Sequence, residues 1–129
     1  MSFLRWILGR RSVGDRGERI AAKYLKRRGY YILARNMQLR MGEIDLIALA
    51  PDKRTIVIVE VKSAAGQATA FTPEMRVTCA KQRKLVTLAT QFLRDCGLSD
   101  HPVRFDVIAV EHTESKTPII RHHIGAFGT

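Results

Sequence analysis

The run GEIDLIALAPDKRTIVIVEVKS (42–63) places Asp45 in one apolar stretch and Glu60 and Lys62 in the next. Burying an uncompensated charge is costly, so such residues need a partner or a purpose. Strand side chains alternate between faces, so Glu60 and Lys62 share one face, and Asp45 shares its own with Glu43. PDKR (51–54) reads as a turn, which makes the two strands antiparallel neighbours and lets Asp45 and Glu60 meet. Glu18 lies on the apolar stripe Glu18, Ala21, Ala22, Leu25 of a helix and can supply a third carboxylate. Gathered carboxylates repel unless a cation sits among them, and hard oxygen donors suit Mg²⁺ or Mn²⁺. A metal held there acidifies a water and polarises a phosphoryl oxygen. A nearby ammonium can position the water or stabilise transition-state charge. Asp45, Glu60 and Lys62 thus form a coherent set for phosphodiester hydrolysis. An edge strand carrying ordinary salt bridges gives the same pattern, and spacing alone does not separate the two. Two interruptions favour chemistry: Glu60 in a core-like strand and Glu18 in a core-like helix stripe.

The elements around these residues follow from period and punctuation. Residues 14–29 read as a helix, with Asp15 as cap, Gly29 as stop and a basic face of Arg16, Arg19, Lys23, Lys26, Arg27 and Arg28. That face is either solvated or in contact with phosphates. YYILAR (30–35) is a first strand, NMQLRMG (36–42) a polar link, and EIDLIAL (43–49) a second strand. TIVIVEVK (55–62), almost continuously apolar, is a third strand covered on both faces. Residues 63–77 read as a mobile loop. Residues 78–97 form a second helix, with Thr78 as cap, Gly97 as stop and a stripe of Leu85, Leu88, Ala89 and Phe92 that Gln82 extends. Lys81, Arg83 and Lys84 cluster at its start. VRFDVIAVE (103–111) is a fourth strand, HTESKTP (112–118) a turn, and IIRHHI (119–124) a fifth strand. The order α-β-β-β-α-β-β predicts a mixed sheet flanked by helices. Asp106 shares a face with Arg104 and reads as a structural salt bridge. His122 and His123 point to opposite faces and read as surface residues. Glu43 reads as a solvated rim.

Composition limits the function classes. The chain has 129 residues, 46% of them hydrophobic, which suits one domain with a core. Residues 1–13 read as a flexible N-terminal arm and 14–129 as the single domain. Lys and Arg number 22 against 12 acids, for a net charge of +10. The excess points to an anionic partner, nucleic acid before membrane, with solubility as the plain alternative. Cys79 and Cys96 would stand about 26 Å apart on one helix, too far for a disulfide, and they form no metal spacing. Reduced thiols fit a cytoplasmic protein. No apolar run approaches the ~18 residues of a membrane span. The start MSFLRWILGRRSV lacks the apolar core of a signal peptide.

Asp45 followed by Glu60-Val61-Lys62 resembles the PD-(D/E)XK nuclease signature. The segments GERIAAKYLKRRGYYILARN, GEIDLIA, VEVKS, KQRKL and RFDVIAV, in that order, resemble the bacterial YraN family over roughly residues 14–111. That family is similar to archaeal Holliday junction resolvases of the same superfamily. The resemblance implies an α/β fold, a restriction-endonuclease-like mixed β-sheet flanked by α-helices. It implies Asp45 and Glu60 as metal ligands, with the Val61 carbonyl as a further candidate, and Lys62 as the catalytic lysine. Glu18 would be the first-helix glutamate, a ligand as well, and Gln82 the helical glutamine near the site. Mg²⁺ or Mn²⁺ would be the cofactor. Arg16, Arg19, Arg40, Lys81, Arg83 and Lys84 would bind nucleic acid, DNA foremost. Two residues depart from the family pattern: Gln38 stands where an Arg is expected, and Thr72 follows Phe71 where a Gly is usual. The expected function is a metal-dependent endonuclease acting on DNA, branched or structured DNA included. A nucleic-acid-binding module without turnover is the alternative, and a protein-interaction domain the third reading. Junction cleavage would require a homodimer.

Overall fold

The computed structural model describes residues 16–65 and 77–128. In chain order the elements are α1 (Arg16–Arg27), β1 (Tyr31–Leu39), β2 (Gly42–Leu49), β3 (Ile56–Ala65), α2 (Cys79–Asp95), β4 (Val103–His112) and β5 (Ile119–Phe127). The strands form one sheet in the order β1-β2-β3-β4-β5. β3 and β4 are parallel, and the other neighbours are antiparallel. A parallel pair needs a crossover, and α2 lies within it. This is the expected mixed α/β sheet with flanking helices.

Each helix covers one face. Leu85, Leu88, Ala89 and Phe92 of α2 pack on Ile44, Ile47, Ile56, Ile58, Phe105 and Val107. Ala21, Ala22 and Leu25 of α1 pack on Leu46, Val57, Val59, Ile108 and Val110. β3 contributes to both layers, which explains its nearly continuous apolar run. The helix ends follow local chemistry. Lys81 N–H donates to Thr78 Oγ1 at 3.1 Å, the expected cap. Gly29 (φ 91°) and Gly97 (φ 70°) take the left-handed conformation that ends helices.

Three expected boundaries move. The link 36–42 shrinks to Arg40 and Met41, because β1 bends at Asn36 (φ 51°) instead of ending there. Gln38, placed by sequence in a loop, pairs with Glu43 inside the ladder. β3 runs on through Ser63 to Ala65 because β4 continues beside it, pairing Ser63 with Val110. β5 extends to Phe127, whose ring stacks on Phe105 at 5.1 Å. The Asp15 cap, the arm 1–13 and the Phe71-Thr72 departure lie outside the described residues, as does most of the loop expected over 63–77.

Strand alternation also breaks near Asp45. Ala34 and Met37, three residues apart, both join the α2-side core, and so do their partners Ile47 and Ile44. Both strands therefore switch faces in between. Arg35–Leu46 and Met37–Ile44 are ladder pairs, while Asn36 and Asp45 stand opposite each other between them without pairing. Sharing of a face by Asp45 and Glu43 assumed unbroken alternation, which the strand does not keep.

Candidate functional site

The β2–β3 ladder runs from Leu49–Ile56 to Leu46–Val59 and stops. Asp45 and Glu60 would form the next pair. Instead β2 parts from β3, and the Val61 N–H donates to Asp45 Oδ2 at 2.9 Å. β3 stays in place because β4 holds it on its other edge, with Glu60 paired to Val107 and Lys62 to Ala109. The result is a split in the sheet with a carboxylate on each side.

Glu60 is buried at 5% exposure, on the α2 side of β3 with Ile56 and Ile58. Its Oε2 lies 3.5 Å from Lys62 Nζ and 3.4 Å from Lys81 Nζ. Lys81 comes from the first turn of α2, which begins over this part of the sheet. Lys84, one turn on, reaches the start of β2: a Cβ added to Gly42 would meet Lys84 Cε at 2.9 Å and Nζ at 3.5 Å. A glycine there leaves room for the lysine stem.

Glu18 enters from the other face. It lies in the first turn of α1, which seats closely on β3: a Cβ on Gly17 would lie 2.9 Å from Ser63 Oγ and 3.1 Å from Ser63 Cβ. The close approach brings Glu18 into hydrogen-bonding contact with Asp45. Burial pushes the Asp45 carboxyl from its ordinary 3.8 up to about 8, and the Glu60 charge adds to the rise. The Val61 hydrogen bond opposes it, and the charge and hydrogen bond of Glu18 raise it further. Asp45 is thus an acid held largely neutral at pH 7 by low dielectric and neighbouring carboxylates.

The donor set consists of hard carboxylate oxygens whose mutual repulsion is relieved by a proton on Asp45 and two ammonium groups on Glu60. That chemistry fits a divalent cation such as Mg²⁺ or Mn²⁺, which can replace the proton and one ammonium. Among the described residues, no group of three or more His, Cys, Asp or Glu side chains is placed so that it could hold a metal ion.

The fold therefore brings together Glu18, Asp45, Glu60, Lys62 and Lys81, with Lys84 at the margin. Gln82 is engaged elsewhere: its Nε2 donates to the Val77 carbonyl at 2.9 Å, next to its own helix cap. Arg16, Arg19, Arg40 and Arg83 are exposed, on the starts of the two helices and the β1–β2 turn.

Two groups escaped the sequence reading. Asn36 is buried opposite Asp45, and its signal was an Asn followed by apolar Met37 and Leu39. His122 is not a surface residue: its side chain is 5% exposed and its Nε2 lies 2.7 Å from Asp106 Oδ2. The expected Asp106–Arg104 pair is present, with Arg104 Nε and Nη2 donating at 2.9 and 2.8 Å. Gly125 N–H adds a further bond at 3.0 Å. Register pairs His122 with Ile108, and its ring reaches Asp106 two residues along β4, which no local pattern could have shown.

An open mixed sheet with one parallel crossover, a helix on each face, and an Asp and Glu-x-Lys at a strand split is a restriction-endonuclease-like architecture. A model of the uncharacterised protein family UPF0102 matches residues 17–110, and the chain belongs to that family, the YraN family its motifs resemble. It is 48% identical over 101 residues to a UPF0102 protein of Symbiobacterium thermophilum, covering 78% of this chain and 83% of the relative. It is 42% identical over 117 residues to one from Geotalea uraniireducens, covering 91% and 90%. A Rhodococcus jostii relative is 41% identical over 116 residues, covering 90% and 96%. Among the described residues, no helix is long and apolar enough to cross a membrane.

Proposed function

We propose that this protein is a metal-dependent endonuclease that hydrolyses phosphodiester bonds in DNA. The observation that carries the reading is the parting of β2 and β3 at Asp45 and Glu60. A sheet gives up backbone pairing there and gathers the buried Glu60 with the half-buried Asp45 and Glu18 instead, which serves packing poorly and a cation well. Asp45, Glu60 and Glu18 would hold Mg²⁺ or Mn²⁺. The bound ion would supply Lewis acidity toward a phosphoryl oxygen and an acidified water.

The chain's own residues do the rest. Val61 N–H fixes the direction of Asp45. Glu60 keeps the Lys62 ammonium at the split, where it can donate to a non-bridging phosphate oxygen and stabilise charge that grows in the transition state. Lys81 and Lys84 line the approach from α2 and counter the phosphate backbone. Gln82, tied to Val77, supports the helix end that carries them. The free thiols Cys79 and Cys96 fit a reducing cytoplasm.

A second reading, nucleic-acid binding without turnover, draws on the two ammonium groups already on Glu60. A cleavage assay separates the two. Labelled duplex, single-stranded, flap and four-way-junction DNA are incubated with Mg²⁺ or Mn²⁺ and the wild type, Asp45→Asn or Lys62→Ala. Metal-dependent cleavage lost in both variants, with binding retained, establishes the nuclease. Binding without cleavage in all three overturns it in favour of the second reading. Junction cleavage would require two such sites, and sedimentation would show whether the chain pairs.

A further inference from the structure

A second cationic surface lies away from the strand split. α1 carries Ile20, Lys23, Tyr24, Arg27 and Arg28 at spacings of three and four, one stripe beside the stripe that packs on the sheet. Together with Pro118 and Ile120 at the start of β5, this stripe encloses a cavity of about 470 Å³. The cavity has two kinds of wall. Ile20, Ile120 and Pro118 are half-buried and leave apolar surface open to it. Lys23, Arg27 and Arg28 are exposed, no acidic residue lines the cavity, and none of the three pairs with a carboxylate among the described residues. The Arg28 guanidinium lies 4.4 Å from the Tyr24 ring centroid. The His122 ring meets Tyr24 edge-on at 5.5 Å, so Tyr24 is held from a second side.

We infer that this cavity is a subsite for an unpaired nucleotide of the nucleic acid, with a base against the apolar wall and a phosphate on Lys23 and Arg27. The inference rests on the nucleic-acid reading of the protein and names the form of the substrate. Duplex DNA offers phosphates to a basic face, but its bases stay stacked and cannot enter a concave apolar cavity. Single strands present base faces that stack on aromatic and guanidinium groups while cations track the backbone. Arg28 over Tyr24 is such a platform. Glu18 and Arg27 are nine residues apart on α1, roughly 14 Å along its axis. Nine residues also carry Arg27 about half a turn around the helix from Glu18, so a strand that reaches both sites must bend around α1, which favours substrates with a single-stranded arm or end.

The test is a binding measurement in chelator, where no cleavage occurs. Fluorescence anisotropy compares a labelled oligothymidylate with a duplex, using wild type, Lys23→Ala/Arg27→Ala and Thr117→Trp. Thr117 lines the cavity on an exposed turn, so the indole fills the space with little risk to the fold. The expected result is a loss of about tenfold for the single strand and less than about threefold for duplex, in both variants. Equal losses on both nucleic acids would reduce the cavity to general charge and overturn the inference. So would unchanged single-strand binding, or a wild type that binds phosphatidylserine vesicles and not the oligonucleotide. A protein that never cleaves but shows the selective loss keeps the subsite and loses the nuclease. A protein that cleaves, with no selective loss, does the reverse.

Discussion

Asp45 and Glu60 face each other across the point where β2 leaves β3, and the aspartate takes a backbone N–H from Val61 in place of a ladder bond. Most of the site's electrostatics follow from that geometry. One carboxyl is protonated by burial, and the other is neutralised by two lysines from different elements.

The pH dependence of stability should show it. Asp45 titrates at 3.8 when unfolded and about 8 when folded, so the folded state binds the proton more tightly. Its contribution is fully present below about pH 4 and is lost as pH rises toward about 8. In chelator, the melting temperature should fall over that window. Asp45→Asn, which keeps an oxygen for Val61, should flatten the fall and raise the melting temperature at pH 8. The same variant should lose any stabilisation by Mn²⁺. A pH series of calorimetric melts, with and without the metal, checks all three outcomes.

Lys81 and Lys62 should separate in function although both touch Glu60. Lys81 is the more exposed, and its ammonium must yield when a dication takes Glu60. Lys81→Ala should lower the Mn²⁺ concentration for half-saturation by about two- to fivefold. Lys62→Ala should leave metal binding in place and reduce cleavage by at least about 100-fold. Electron paramagnetic resonance of free Mn²⁺ reads the first effect, and initial cleavage rates read the second.

Gly17→Ala should unseat Glu18. The added methyl would press on Ser63, where a contact of 2.9 Å must open. Overpacking of this kind costs about 1–3 kcal/mol, against ~1 kcal/mol gained in helix propensity. A net loss of stability is expected, and Ser63→Gly in the same chain should recover part of it. Urea denaturation of the double-mutant cycle measures the coupling.

Asp106→Ala should destabilise the fold by about 3 kcal/mol without touching the split. It removes the common partner of Arg104, His122 and the Gly125 N–H. Burial alone would raise the Asp106 carboxyl, but those three hydrogen bonds prevail and hold it below the ordinary range. Its contribution is present above the ordinary carboxylate pKa and is lost as pH falls below it, opposite in sign to Asp45. Denaturant melts at neutral and acid pH should show a gap between wild type and variant that narrows in acid.

The two helices, their buried stripes, the Thr78 cap and the β2 and β3 strands were all readable because they rest on local period and on side-chain chemistry within a turn or two. So was the candidate set Glu18, Asp45, Glu60 and Lys62, since each is a charge that breaks an apolar pattern. The sequence ends β1 too early because Asn36 and Gln38 look like a link, while the pairing of Gln38 with Glu43 keeps them in the sheet. His122 looks like a surface residue for a similar reason, since its burial depends on Asp106 across the β4–β5 pair.

The amino-acid order by itself determined which residues carry charge into the core, how far apart they lie, and which surface is basic. Only the tertiary structure decided that β2 separates from β3 at Asp45, that Lys81 reaches Glu60 from another element, and that Asp45 holds its proton near neutrality. These depend on burial and on distances between segments remote in the chain. A charge's energy is set by what surrounds it in space, and adjacency in sequence does not specify that.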